Sequence, residues 1–139
     1  MATIERHMAR DLVSLDATAT CKQAASLMKE RRIGAVAVTD HNRVIGLVAE
    51  RDLALRVVGE GASPEIALGD IVRRDGPAVG PRATEKECVD LMHKHHLRHL
   101  LVSDGGRVLG LISMRDVVVL MLDEKEHVIH QLEGYISGH

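Results

Sequence analysis

The chain of 139 residues has no Phe and no Trp, and Tyr135 is its only Phe/Trp/Tyr residue. A planar base bound here must therefore lie between aliphatic side chains and backbone. Single-stranded nucleic acid, which binds largely by stacking on aromatic side chains, is a poor match. A basic excess is missing too: 18 Lys and Arg stand against 20 Asp and Glu, for a formal net charge of −2. No basic stripe is available for a phosphate backbone. The two cysteines, Cys21 and Cys88, are too few for a disulfide framework and lack CxxC spacing. They read as reduced, half-buried thiols of a cytosolic protein. No apolar run is long enough to span a bilayer and no signal peptide is evident, so the expected location is the cytoplasm, away from membrane. There is no GxSxG, P-loop, GxGxxG or HExxH, and a non-catalytic protein is expected.

What the chain does contain is an aliphatic-rich composition, 45% hydrophobic, and a repeat. Residues 38–52, VTDHNRVIGLVAERD, align with residues 102–116, VSDGGRVLGLISMRD, at an offset of 64 residues with eight of fifteen positions identical. The same offset relates Thr20 to Thr84, Lys22 to Lys86, Leu27 to Leu91 and Met28 to Met92. A repeated unit of this size cannot bury its apolar face alone. Two copies are expected to pack face to face with approximate two-fold symmetry, around one shared core, leaving two equivalent clefts.

The elements run in the same order in each copy. Residues 1–11 read as a polar arm or a first helical turn, and Leu12 to Leu15 as a short extended segment. Thr20 and Thr84 are N-caps for helices reaching Arg31–Arg32 and His95. Ala35–Thr39 with Arg43–Val48, and Leu100–Ser103 with Arg107–Ile112, form hairpins around Asp40-His41-Asn42 and Gly105-Gly106. Helices follow at Glu50–Val58 and Met114–Leu122. A short helix is expected from Ser63-Pro64-Glu65 toward Ile71, and Ala78-Val79 is a short strand. Asp123 to Ile136 reads as a separate amphipathic helix for packing or dimerisation, with no counterpart in the first copy. The expected divisions are 8–60, 61–122 and a tail at 123–139.

Each repeat ends in strand, Gly, two aliphatics, a small residue and x-Arg-Asp opening a helix. In Gly110-Leu111-Ile112-Ser113-Met114-Arg115-Asp116 the serine sits where helix N–H groups and the dipole favour an anion. Its hydroxyl can donate to a phosphate. Asp116 can accept from a ribose diol, and Gly110 permits close backbone approach. The competing interpretation is a capping box, with Ser113 as N-cap and an acidic residue at N3.

From about residue 8 to 122 the chain resembles a tandem pair of cystathionine-β-synthase (CBS) domains, a Bateman module. The matching segments are RVIGLVAERDL (43–53), RVLGLISMRDV (107–117) and HHLRHLLVSD (95–104); QLEGYISG (131–138) resembles the tail of small stand-alone bacterial CBS-pair proteins. The resemblance implies an α+β fold of two β-α-β-β-α repeats packed sheet to sheet, plus the C-terminal helix. It further implies a regulatory sensor that binds AMP, ADP, ATP, NAD or S-adenosylmethionine between the repeats. Its main site would comprise Asp116, Ser113, Arg115, Arg98 and His99, with Val13, Ile33 and Gly34 lining the adenine slot and backbone near Met8 or Val13 reading the base edge. A second site would use Asp52, Ala49 and Arg51, with Pro77, Leu97, Arg98 and Val72 around its base slot. There Ala49 replaces the family's Thr or Ser, and Gly34 and Ala35 replace the basic pair. One charge-assisted phosphate contact contributes roughly 1.5–3 kcal/mol, so the second site is expected to be weaker by roughly 10–1000-fold.

Other readings compete. His93, His95, His96 and His99 invite a metal site, but solvated helix-end histidines fit the stretch better and no metal is expected. A ligand-free dimerisation or partner-binding module is the functional alternative. A homodimer is expected in either case. The run Val117-Val118-Val119-Leu120-Met121, with Leu53 and Leu55, is more apolar than one helix face needs and suggests its interface; on that basis Leu120→Asp should yield monomers. The output would pass through assembly or an unidentified regulated protein.

Overall fold

A computed structural model describes residues 2–137. Met1, Gly138 and His139, the last two being the end of the expected tail, lie outside the described residues. The chain forms two compact units, residues 10–77 and residues 1–9 with 78–139. Each has its own apolar cluster, where one shared core was expected.

In the unit of residues 10–77, strands β1 (Ser14–Asp16), β2 (Ala35–Asp40) and β3 (Arg43–Ala49) form one sheet. β1 is parallel to β2, and β2 is antiparallel to β3. Helix α1 (Cys21–Arg31) starts at a reciprocal cap. Thr20 Oγ1 accepts from the Gln23 amide at 3.0 Å, and the Thr20 amide donates to Gln23 Oε1 at 2.8 Å. It stops at Arg32, which adopts the left-handed conformation. The two-residue hairpin loop places His41 and Asn42 at φ of 51° and 62°, the twist that a tight hairpin requires. Helix α2 (Glu50–Leu53) continues as a π-helical turn over Ala54–Val58. Cys21, Ala24 and Met28 of α1 pack on Val36, Val38 and Val48 of the sheet, with Val57, Leu68 and Ile71 closing the cluster.

The other unit repeats this plan. Strands β4 (Ala78–Val79), β5 (His99–Asp104) and β6 (Arg107–Ser113) are ordered and paired as in the first copy. Helix α3 (Glu85–His95) is capped by Thr84 and ended by a left-handed His96. Even the irregularities match: the hairpin register shifts at Val38/Thr39 in one sheet and at Val102/Ser103 in the other. Gly105 and Gly106 supply the positive φ values of the second loop.

Two expectations change and one is decided. Of the two alternatives for the leading segment, the structure takes the helical turn. One 3-10 turn (Ile4–Arg6) buries Ile4 completely in the cluster with Leu100, Val102 and Ile112. The Ser63–Ile71 helix is reduced to a 3-10 turn at Leu68–Asp70. Its backbone is used elsewhere: the carbonyls of Pro64 and Ile66 accept from the amides of Lys22 and Cys21, and the amides of Leu68 and Gly69 donate to Ala19 and Ala17. Finally, Met114–Leu122 and Asp123–Ile136 are one continuous helix, α4 (Met114–Ser137). Asp123 and Glu124 interrupt nothing, because neither is a Gly or Pro and charged residues are accommodated on an outer helical face. Within α4, Val117 and Leu120 are 0% and 3% exposed and belong to the unit's own core. Leu120→Asp would therefore put a charge into that core, not split a dimer.

The two copies also share a leading segment. Ile4, Met8 and Ala9 are offset by 64 from Leu68, Val72 and Arg73. Ala9 exchanges backbone hydrogen bonds with Leu111 (2.8 and 2.9 Å), and Arg73 forms an isolated antiparallel bridge with Leu47. At both crossings the partner strand carries a glycine beside the bridge. A Cβ on Gly110 would collide with the Ala9 carbonyl and the Met8 methyl; one on Gly46 would collide with the Arg73 carbonyl and Val72. The close approach that Gly110 permits is thus to the chain's own backbone. Gly110→Ala should cost about 2–4 kcal/mol through overpacking and loss of the bridge. Gly134→Ala, in open space on α4, should instead add about 0.5–1 kcal/mol of helix stability. Chemical denaturation of the two variants checks the contrast.

Candidate functional site

The junction between β6 and α4 is the most elaborate polar arrangement among the expected site residues. Ser113 ends β6 and pairs in register with His99 of β5. The next amide, of Met114, donates to the Arg98 carbonyl at 2.8 Å. The Ser113 amide donates to Asp116 Oδ2 at 2.9 Å, and the Asp116 amide donates to Ser113 Oγ at 3.0 Å. This is a reciprocal capping box. It does not exhaust either side chain. The serine hydroxyl, accepting that bond, keeps its own proton to donate, and Asp116 keeps its second carboxylate oxygen as an acceptor. Arg98 and Arg115 are exposed, while His99 is half-buried. Ser113, Asp116, Arg98, His99 and Arg115 are thus brought to one strand-to-helix corner.

The equivalent corner between β3 and α2 has the same frame with fewer functional groups. Ala35 pairs with Ala49, the Glu50 amide donates to the Gly34 carbonyl at 2.9 Å, and the Ala49 amide donates to Asp52 Oδ2 at 2.8 Å. Ala49 has no oxygen to return the cap, and Gly34 and Ala35 stand where Arg98 and His99 stand in the second copy.

The remaining expected site residues are distributed as follows. Val13, Ile33, Gly34, Pro77 and Val72 belong to the unit of residues 10–77; Met8 and Leu97 belong to the other. Val13 accepts from the Ala37 amide, and Ile33 donates to the Met28 carbonyl. Met8 and Val72 are buried in their units' clusters, each packed where a glycine is crossed. Their packing role was not visible in the sequence until the 64-residue offset is carried back to Ile4 and Met8.

Neither cysteine is poised for chemistry. Both are free and buried. Burial, assisted by Glu87, pushes the Cys88 thiol up to about 11, and burial with Asp70 raises that of Cys21, so both stay protonated near neutrality. Among the described residues, no group of three His, Cys, Asp or Glu side chains is arranged to hold a metal ion.

A separate open groove of about 720 Å³ runs between residues 2–7 and the middle of α4, lined by Arg6, His7, Asp123, Glu124 and His127 among others. His7 Nε2 lies 2.8 Å from Asp123, and the Ala2 amide donates to Glu124 Oε1 at 3.2 Å. Glu124 also faces Glu85 at the start of α3. Desolvation first, then the charge of Glu124, raises the Glu85 carboxyl above the ordinary carboxylate range. A carboxyl raised on folding favours the folded state below its unfolded pKa, and that contribution is lost as pH rises through the folded value.

Comparison with known proteins matches the CBS domain twice, at residues 3–59 and 68–123. The CBS domain-containing protein YhcV of Bacillus subtilis is 24% identical over 86% of this chain and 85% of its own length. A solved structure from Burkholderia ambifaria, of a protein with CBS domains named for signal transduction, shares 33% identity. Its TM-score is 0.80, over 86% of this chain and 91% of that one. Inosine-5'-monophosphate dehydrogenase of Korarchaeum cryptofilum is 27% identical, but this chain spans only 23% of its length.

Two outcomes follow from this geometry. Ser113→Ala should lose about 0.5–2 kcal/mol of stability in ligand-free protein, and Ala49→Ser should gain a similar amount by completing the other cap; thermal melts read both. Glu124→Gln keeps an acceptor for Ala2 but removes the charge facing Glu85. It should flatten the fall in melting temperature expected of the wild type as pH rises above the ordinary carboxylate range, and an unchanged profile would count against the carboxyl pair.

Proposed function

For this chain, which belongs to the CBS-domain family and carries the domain twice, we propose an adenine-nucleotide sensor whose ligand is held at the β6–α4 corner. As a tandem CBS module it is of regulatory type. One observation carries the finer reading. The two corners share the same backbone frame, and in the first copy Asp52 alone satisfies it. In the second copy Ser113 adds a hydroxyl that caps the helix and keeps its own proton to donate, and Arg98 and His99 stand where the first copy has Gly34 and Ala35. Polar side chains at positions that the same frame fills with Gly and Ala, at the positive end of a 24-residue helix, suit a phosphorylated ligand.

In this reading the free Asp116 oxygen accepts from the ribose hydroxyls. The Ser113 hydroxyl donates to a phosphate oxygen, Arg98 balances its charge, and His99 is their polar neighbour on β5. Pairing with a diol leaves the capping bond in place, so binding does not require the helix to unwind. The β3–α2 corner retains ribose recognition through Asp52 and binds more weakly. No catalytic step is assigned. The setting proposed is the cytoplasm, with AMP, ADP, ATP or NAD as the regulatory ligand. No helix among the described residues is long and apolar enough to cross a membrane.

Calorimetric titration with AMP, ADP, ATP, NAD and S-adenosylmethionine tests the reading. One of these should bind with one strong site per chain. Asp116→Asn preserves an acceptor for the Ser113 amide and should weaken binding by roughly 10–100-fold without lowering the melting temperature. Arg98→Ala should weaken the more highly phosphorylated ligands most. A folded wild type that binds none of the five would overturn the proposal.

A further inference from the structure

The second half of α4 presents an apolar stripe to solvent. Residues 125–136 are exposed without interruption, more than three turns of helix. A helix of that length is marginal in water by itself. Its large apolar residues are not scattered. Val118, Leu122, Ile129, Leu132 and Ile136 are 45%, 56%, 49%, 57% and 77% exposed, and with Lys125 they fall at alternating steps of four and three. That is the seam of a two-helix coiled coil. Met121, Val128 and Tyr135, also exposed, widen it along one flank.

We infer that this seam pairs with the same seam of a second copy of the chain, with the two helices antiparallel and centred on His127. The pattern is self-complementary in that direction. Antiparallel packing about residue 127 sets Val118 against the second copy's Ile136, Leu122 against its Leu132, and Lys125 against its Ile129, each occurring twice. Met121 then meets Tyr135, and Val128 meets its own copy at the axis. The charges select this orientation. A parallel pair would place Lys125 against Lys125 inside the seam, a like-charge contact. The antiparallel pair lays the lysine stem along Ile129 and carries the ammonium toward Glu126 of the other helix. The two Glu126 side chains approach each other at the axis on the flank opposite Val128, and the two Lys125 beside them bring that group of four charges to zero.

The full chain should be a dimer by size-exclusion chromatography with light scattering. Ile129→Glu with Leu132→Glu should yield a monomer whose melting temperature and circular dichroism show both units intact, because both side chains lie outside either core. Lys125→Leu should strengthen the dimer. Direction is read separately by oxidation of single-cysteine variants. Val128→Cys, at the axis, should form a disulfide-linked dimer and Leu122→Cys should not, whereas parallel helices would link Leu122→Cys. A wild-type monomer, a dimer that survives the double substitution, or the reverse cross-linking result would each overturn the inference. A monomer that sediments with phospholipid vesicles would assign the face to a lipid surface instead. None of these readouts involves a nucleotide, so they stand or fall apart from the sensor proposal.

Discussion

The structure depends on two places where backbone crosses backbone with no room for a side chain. At Gly110 the strand β6 meets Ala9, and at Gly46 the strand β3 meets Arg73. Each crossing binds a leading segment to a sheet that it does not immediately precede. Residues 1–9 precede the first repeat and pack in the unit of the second, while residues 61–77 precede the second and pack in the unit of the first. The apolar anchors Ile4 and Leu68, both fully buried, hold the far ends of these segments. A three-stranded sheet with its two helical elements leaves part of its cluster for Ile4 or Leu68 to close. The exchanged segments supply the missing cover, and this makes each unit depend on both repeats.

Upon this frame the two corners have different amounts of freedom. The Asp at N3 of α2 or α4 satisfies the amide at the strand end in both copies, so the aspartates are explained by folding alone. They cannot by themselves argue for a ligand. Ser113 is partly explained by folding as well, since its Oγ accepts from Asp116. What folding does not explain is the Arg98-His99 pair, because Gly34-Ala35 fills the same positions in a corner with the same hydrogen bonds. What points to function is therefore the difference between the copies, not the motif they share.

Much of this was legible in the sequence. The repeat, the Thr20 and Thr84 caps and both hairpins follow from local chemistry, which the tertiary structure did not override. His41-Asn42 took the same left-handed turn as Gly105-Gly106 because a two-residue hairpin leaves no alternative. The leading segment was not legible locally. ATIERHMARD looks polar, and Ile4 and Met8 acquire meaning only opposite a sheet almost a hundred residues away. The Val117–Met121 run was legible only in part, for a related reason. Composition says that it is too apolar for one face, but only the phase of the helix sorts Val117 and Leu120 into the core and leaves Val118, Val119 and Met121 outside.

The continuity of α4 ties the remaining observations together. A helix of 24 residues is about 36 Å long, with Asp116 in its first turn and Ile136 in its last. Val117 and Leu120 fix its near end in the core, so its direction is set by the same packing that shapes the corner. If a ligand at Asp116 shifts that packing by even a small angle, the displacement grows along the rigid rod toward the seam. Linkage then requires the reverse as well: pairing of two seams would change ligand affinity by the same factor that the ligand changes pairing. Had the tail been the separate helix expected from the sequence, and joined flexibly, no such coupling could pass through it. The unbroken hydrogen-bonded helix makes the coupling physically available, and its size is set by how differently the two ligation states hold the first turn of α4.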